Sequence, residues 1–167
     1  MENPDTSLSK YNLAFKGKVR NIYNYDDNKL LIYTSDRISA FDYVFNDEVK
    51  GKGLLLTKMA KFWFNKTRHI VSNHIANGDL DLPSNVRDNC MLVTKTKVLP
   101  IEAIVRGHLA GSAWNTYEAT QKINGIPVTK EYKRYDKFDA PIFTPSTKAK
   151  VGDKDINISI KEMQNII

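Results

Sequence analysis

Arg106 and Ser112 are the two residues whose types and spacing point most directly to chemistry. They stand in residues 100–114, Pro-Ile-Glu-Ala-Ile-Val-Arg-Gly-His-Leu-Ala-Gly-Ser-Ala-Trp. Residues 101–105 predict a buried strand that ends on the arginine and breaks at Gly107. Ala110, Gly111 and Ser112 then predict a small-residue turn that opens a helix. The first backbone N–H groups of a helix lack intrahelical partners, and the macrodipole favours negative charge there. A guanidinium adds a charge-assisted fork suited to a phosphate or a carboxylate. Glycines at 107 and 111 let a ligand come close to the backbone. The same residues also read as a plain strand-to-helix connection with a serine N-cap and a solvated arginine.

A second candidate is Gly17 with Lys16 and Lys18 on either side, followed by Val19 and Arg20. A glycine between lysines at the start of a hairpin can lie over a polyphosphate, or it can be a basic turn and nothing more. A third is residues 34–42, Thr-Ser-Asp-Arg-Ile-Ser-Ala-Phe-Asp, which crowd hydroxyls, Asp36, Asp42 and Arg37 between two apolar stretches. Such a group is either a self-satisfying loop network or one wall of a polar pocket. Residues 141–148 form a fourth. Pro141 and Pro145 hold them extended, and hydroxyls gather with Lys148 at the end. The alternative for that stretch is a rigid surface linker.

The elements that must position these groups are legible in outline. Residues 1–12 read as a loose leader. Val19, Ile22 and Tyr23 and then residues 30–33 predict two strands parted by the turn residues Asp26, Asp27 and Asn28. After a turn at residues 50–53, Leu55, Met59, Phe62 and Trp63 recur at helical spacing over 54–66, and their stripe reads as core. Residues 91–93 predict a strand and residues 112–121 a helix. Ser159 and Glu162 have the form of a capping box, so a short helix begins near Ile160. That helix ends on Asn-Ile-Ile without a cap, which leads us to expect the front part of a longer protein.

Composition bounds the function. The 167 residues suffice for one domain or two small lobes, and hydrophobic and charged contents of 41% and 26% are ordinary for a globular chain. A net charge of +6 suits an anionic partner, whether nucleotide, sugar phosphate or nucleic acid. The single Cys90 excludes a disulfide framework and fits a reducing compartment. His69 and His74 lack a third ligand at metal spacing, and neither a signal peptide nor a membrane span is evident. The expectation is a cytoplasmic protein without membrane association.

Taken together these pieces resemble the SAICAR synthase (phosphoribosylaminoimidazole-succinocarboxamide synthase) family. The resemblance rests on residues 17–20, 34–42, Gly51-Lys52-Gly53 with Leu56-Thr57, Phe62-Trp63-Phe64, 100–114 and 141–148, and on Asp155 with Asn157-Ile158-Ser159. It implies an α+β fold: an antiparallel-sheet N-terminal lobe over residues 13–98, similar to a kinase small lobe, followed by part of an α+β, ATP-grasp-like lobe over 99–167. It implies an ATP- and Mg²⁺-dependent ligase of purine biosynthesis that joins L-aspartate to carboxyaminoimidazole ribonucleotide (CAIR).

By matching position, Gly17, Lys18, Val19 and Arg20 are expected over the nucleotide phosphates. Residues 95–99, including Lys97, are expected at the adenine and Glu102 near the ribose. Arg106 and Ser112 are expected on the 5′-phosphate of the ribonucleotide. Arg37, Ser39 and Asp42 are expected on the CAIR side, and Thr147 and Lys148 at substrate carboxylate or transferring phosphate, with Lys148 and Asp42 in catalytic roles. Asn21, Lys150 and Ile156 depart from residues that are frequently acidic in the family. Metal ligands are expected beyond residue 167, so the chain alone is expected to have little ligase activity. Its partners would be small molecules, with no nucleic acid and with a homo-oligomer left open. A basic nucleic-acid-binding module is the alternative, although the lysines are dispersed and no recognition motif is present.

Overall fold

The computed structural model describes residues 4–40, 43–148 and 155–167. Asp42 and Lys150 therefore lie outside the described residues. The chain divides into two units, Met1–Thr96 and Lys97–Ile167. Both are mixtures of helix and antiparallel strand, so the expected α+β class holds.

The first unit opens with α1 (Pro4–Leu8), β1 (Asn12–Lys16), β2 (Arg20–Asn24) and β3 (Lys29–Thr34). It continues through β4 (Arg37–Ala40), β5 (Tyr43–Glu48), α2 (Lys52–Thr67), α3 (Ser84–Arg87) and β6 (Cys90–Thr94). Strands β1-β2-β3-β6 form one antiparallel sheet, while β4 and β5 pair as a separate ribbon. Asp26 turns the chain between β2 and β3, its carboxylate accepting from the Asn28 N–H at 2.8 Å. Tyr23, Leu31, Tyr33 and Cys90 alternate onto one face and meet Leu82 and Val86 from the segment around α3. Burial in that cluster pushes the Cys90 thiol up to about 12, so it packs as an apolar group and is no nucleophile.

Two expectations fail here for physical reasons. Residues 1–12 are not a loose leader where they are described, because Leu8 is fully buried in the same core and ties α1 down. The apolar stripe of α2 is not core. The helix begins earlier than expected, at Lys52, and docks through small residues, Gly53 and Thr57, against β3 and β6. Leu55, Met59, Phe62 and Trp63 are all exposed.

The second unit contains β7 (Ile101–Glu102), β8 (Val105–His108), α4 (Ser112–Thr120), β9 (Lys122–Ile123) and β10 (Ile126–Pro127). Then follow β11 (Lys137–Phe143), β12 (Ser146–Thr147) and α5 (Ile160–Ile166). Its core joins Leu109, Ala113 and Tyr117 to Ile123 and Phe138. The β9–β10 hairpin turns on Asn124 and Gly125 at φ 48 and 79, the left-handed pair that a two-residue hairpin requires. The capping box forms as read: the Ser159 hydroxyl accepts from the Glu162 N–H at 3.2 Å, and the Glu162 carboxylate accepts from the Ser159 N–H at 2.7 Å. Those bonds hold the Glu162 carboxyl below its ordinary range.

The buried strand expected over residues 101–105 is instead two short ones. β7 pairs with β12 and β8 pairs with β11, and Val105 is 68% exposed. The strand also continues through Gly107 to His108, where expectation had it breaking. Residues 141–148 are extended as predicted but are no surface linker, since Thr144, Pro145 and Ser146 are buried.

Candidate functional site

In the second unit, the β8–β11 ladder sets Arg106 opposite Ile142 and delivers its guanidinium toward the start of α4. Its Nε donates to Thr144 Oγ1 at 3.0 Å and its Nη2 to Ser112 Oγ at 3.2 Å. The Thr144 hydroxyl is itself held by the Ile104 carbonyl at 3.3 Å, so the cation is gripped from a fixed point. Both partners of the guanidinium are neutral. Among the described residues no carboxylate pairs with Arg106, so its charge is oriented without being neutralised. Five N–H donors belong to a guanidinium, and two are committed to these hydroxyls. Nη1 lies beside Gly111, 4.0 Å from where a Cβ would stand.

Ser112 does not cap the helix. Gly111 is the N-cap, at φ 59, which leaves the Ser112 hydroxyl to Arg106. Through Ser112, the first residue of α4, the guanidinium is held at the helix start. No protein atom lies within 4 Å of where a Cβ at Gly107 would stand. Arg106, Ser112 and the unforeseen Thr144 thus form one cationic cradle. Thr144 lies 38 residues from Arg106, and nothing in the local pattern ties the two.

In the first unit, Gly17 turns the β1–β2 hairpin. Its N–H donates to the Arg20 carbonyl at 2.7 Å, and a Cβ there would stand 2.9 Å from that same oxygen, so the loop requires glycine. Lys18 and Arg20 are exposed on the loop and Val19 is half-buried. Ser35 fastens Val19 from behind, its N–H and its hydroxyl both donating to the Val19 carbonyl at 3.0 and 2.9 Å. Arg37 donates to Ser35 Oγ at 2.9 Å, to Asn21 Oδ1 at 2.9 Å and to the Gly17 carbonyl at 3.3 Å. Its guanidinium therefore braces the Gly17 loop. Asn21, one of the departures from the family pattern noted above, is buried and serves as an acceptor for that brace.

Residues 34–40 are mostly a self-satisfying network. Asp36 spans the start of α2, accepting from the Gly51 and Gly53 N–H groups at 2.8 Å each. This carboxylate cap comes from fifteen residues away and was not foreseen. Asp36→Ala should cost about 1–2 kcal/mol, the upper part of the range for loss of a helix cap. Urea unfolding measures it, and a loss below about 0.5 kcal/mol, ordinary for a surface change, would remove the cap from the account. Ser39 lies in β4, opposite Val44, past a register slip after Arg37.

Of the remaining candidates, the β7–β12 ladder brings Glu102, Thr147 and Lys148 to one place. Lys97, Val98 and Leu99 are exposed in the chain leading to β7. Glu102 is exposed on β7, opposite Ser146. The Thr147 hydroxyl already accepts from the Ile156 N–H at 3.0 Å. The Lys148 backbone donates to Pro100 at 3.1 Å and its side chain is exposed. Among the described residues no three His, Cys, Asp or Glu side chains gather as a metal ion would need.

The model of the SAICAR synthetase family matches residues 13–167. The phosphoribosylaminoimidazole-succinocarboxamide synthase of Methylobacillus flagellatus is 43% identical over 171 residues, taking in 97% of this chain and 57% of that protein. The enzyme of the same name from Geobacter sulfurreducens is 44% identical, over 97% of this chain and 57% of its own. The solved structure of the Saccharomyces cerevisiae SAICAR-synthase complexed with SAICAR superposes with a TM-score of 0.83 at 36% identity, over 93% of this chain and 55% of that one. A type-2 SAICAR synthetase in complex with ADP shares the fold at a TM-score of 0.65 and 23% identity. The chain spans a little over half the length of these relatives. On sequence and on fold alike, it belongs to the SAICAR synthetase family.

Proposed function

We propose that this chain supplies the nucleotide and ribonucleotide subsites of a cytoplasmic, ATP-dependent ligase that condenses L-aspartate with CAIR to give SAICAR, ADP and phosphate. The observation that carries the reading is Arg106, held by two neutral hydroxyls at a helix start with its charge left for an outside anion. A 5′-phosphate fits that cradle, taking the remaining guanidinium donors and the first N–H groups of α4.

The chemistry explains why ATP is needed. A carboxylate is a poor acyl donor, so its oxygen takes the γ-phosphoryl group and ADP leaves. The aspartate amine then attacks the acyl carbon, the C–O bond to phosphate breaks, and the amine gives up a proton as the amide forms. Mg²⁺ supplies charge neutralisation on the phosphates in such transfers. The described residues offer it no cluster of ligands, so the chain's own part is binding and orientation.

In this reading Lys18 and Arg20 lie along the nucleotide phosphates on the Gly17 loop, and Arg37 acts through that loop as its brace. Lys97 and Glu102 serve the adenosine, Ser39 and Thr147 the CAIR carboxylate end, and Lys148 and Asp42 the transferring phosphate. Small molecules are the partners, and nucleic acid is not among them.

Thermal unfolding with added ligand tests the assignment. A ligand at about 100 times its Kd stabilises by roughly 2.7 kcal/mol, so ATP and CAIR should each raise Tm by several degrees. Unmoved Tm with both, together with duplex binding that weakens steeply with salt, would replace this reading with the nucleic-acid module.

A further inference from the structure

The second unit holds a cavity that the phosphate cradle does not use. It measures about 160 Å³ and is lined from the β9–β10 hairpin, from β11 and from the first residue of α5. Ile123 and Phe138, both buried in the core, line it together with Val128, Tyr132 and Ile142, which pack against that core. Its exposed lining residues are Ile126 and Ile160, at 56% and 40%, and these form its mouth. No Lys, Arg, Asp or Glu lines it. Dry apolar cavities of about 150 Å³ take up a benzene-sized molecule.

One lining residue asks for more than an apolar filling. Asn124 is only 6% exposed, and its Nδ2 donates to the Pro145 carbonyl at 2.9 Å and to the Ile158 carbonyl at 2.8 Å. Those two acceptors fix the amide, because a flipped one would set its oxygen against both carbonyls. Asn124 Oδ1 is therefore an acceptor, and it is buried with no donor among the described residues. The Thr144 hydroxyl at the same cavity is already engaged, accepting from Arg106 Nε and donating to the Ile104 carbonyl. An unmet buried acceptor is costly, so one at the wall of a cavity points to a ligand that meets it. The apolar walls suit a ring better than a water, which needs two to four polar partners.

We propose that this cavity binds a neutral, single-ring aromatic molecule carrying one O–H or N–H donor, with the ring among the isoleucines and the donor on Asn124 Oδ1. Size selects one ring, the uncharged lining turns away ions, and the orphan acceptor selects the donor. The site stands independently of the ligase reading, yet it adjoins the cradle. Ile142 pairs with Arg106 across the β8–β11 ladder, and Thr144 holds the Arg106 Nε at 3.0 Å. Occupancy is therefore sensed at the guanidinium.

The test is an NMR titration of the chain with phenol, following side-chain methyls and arginine Nε–H groups. Phenol should saturate with a Kd below about 1 mM, a modest demand for so small a ligand. The shifts should centre on the methyls of Ile123, Ile126, Val128, Ile142 and Ile160 and on the Arg106 Nε–H. Toluene has the same size without the donor and should bind about three- to tenfold more weakly, the worth of one hydrogen bond. Benzoate, which carries a charge, should leave those methyls unmoved. Ile126→Trp sets a larger side chain at the mouth and should block phenol, with Tm unchanged because the position is exposed.

Toluene binding as tightly as phenol would remove Asn124 from the site and overturn the proposal. So would a failure to saturate by about 10 mM phenol. Shifts confined to the exposed apolar residues of α2, or phenol binding untouched by Ile126→Trp, would place the ligand elsewhere and overturn it equally.

Discussion

Arg106→Ala is expected to weaken CAIR binding by about 2–4 kcal/mol, or roughly 30- to 1,000-fold, while ATP binding changes less than about threefold. The magnitude follows from removing the charged, hydrogen-bonded partner of a phosphate. The selectivity follows from the contacts, because the guanidinium is held by Ser112 and Thr144 and touches none of the residues assigned to the nucleotide. Titration calorimetry with CAIR, with its nucleoside lacking the 5′-phosphate, and with ATP separates the cases. The nucleoside should bind wild type and variant alike, since the lost contact is to phosphate.

The fold should tolerate this change. Thr144 keeps its bond to the Ile104 carbonyl when the guanidinium leaves, so no buried hydroxyl is orphaned. Arg106→Lys should recover only part of the affinity, because an ammonium cannot take two hydroxyls in a planar fork and still face a phosphate with two donors. Equal losses for CAIR and ATP, accompanied by a falling Tm, would make Arg106 a structural residue and remove the main support for the proposed function.

What could be read from the sequence was whatever chain neighbours decide. Asp26, Asp27 and Asn28 announced the turn between β2 and β3 and Ser159 with Glu162 their capping box, because both devices are local hydrogen-bond patterns. The meeting of Arg106 with Ser112 was legible for the same reason, six residues being one strand end, one turn and one helix start. Its third member was not. Thr144 reaches Arg106 through the β8–β11 pairing, and pairing across such a separation leaves no local mark. Asp36 capping α2 is the same kind of miss. Periodicity found α2 but could not say which face was covered. Apolar bulk was taken as the inward side, yet close approach of the helix to β3 selected the side with no bulk. Arg37 also has partners that only the fold brings together, Ser35, Asn21 and Gly17.

Gly53→Ala should be the most damaging single methyl in the chain. By intrinsic propensity the change favours a helix by about 1 kcal/mol. Packing opposes it more strongly. A Cβ at Gly53 would overlap the Thr34 carbonyl oxygen, and it would stand 2.7 Å from Asn89 Nδ2 and 3.0 Å from the Thr34 carbonyl carbon. Two of these are backbone atoms of β3 and cannot swing aside. The third belongs to an amide that donates to Thr34 at 3.0 Å, while the Asn89 carbonyl accepts from Thr34 N–H at 3.0 Å and from the Thr57 hydroxyl at 3.2 Å. Making room moves the helix off the sheet and stretches all three bonds, along with the Asp36 cap. The net cost should be about 3–5 kcal/mol, the upper end for overpacking joined to lost buried hydrogen bonds. Against a total stability of roughly 5–15 kcal/mol, that lowers Tm by about 10 °C or more. Gly107→Ala is the control, for the same methyl there meets nothing within 4 Å and should cost under about 1 kcal/mol. If denaturant melts put the two variants within 1 kcal/mol of each other, α2 does not press on β3 as described.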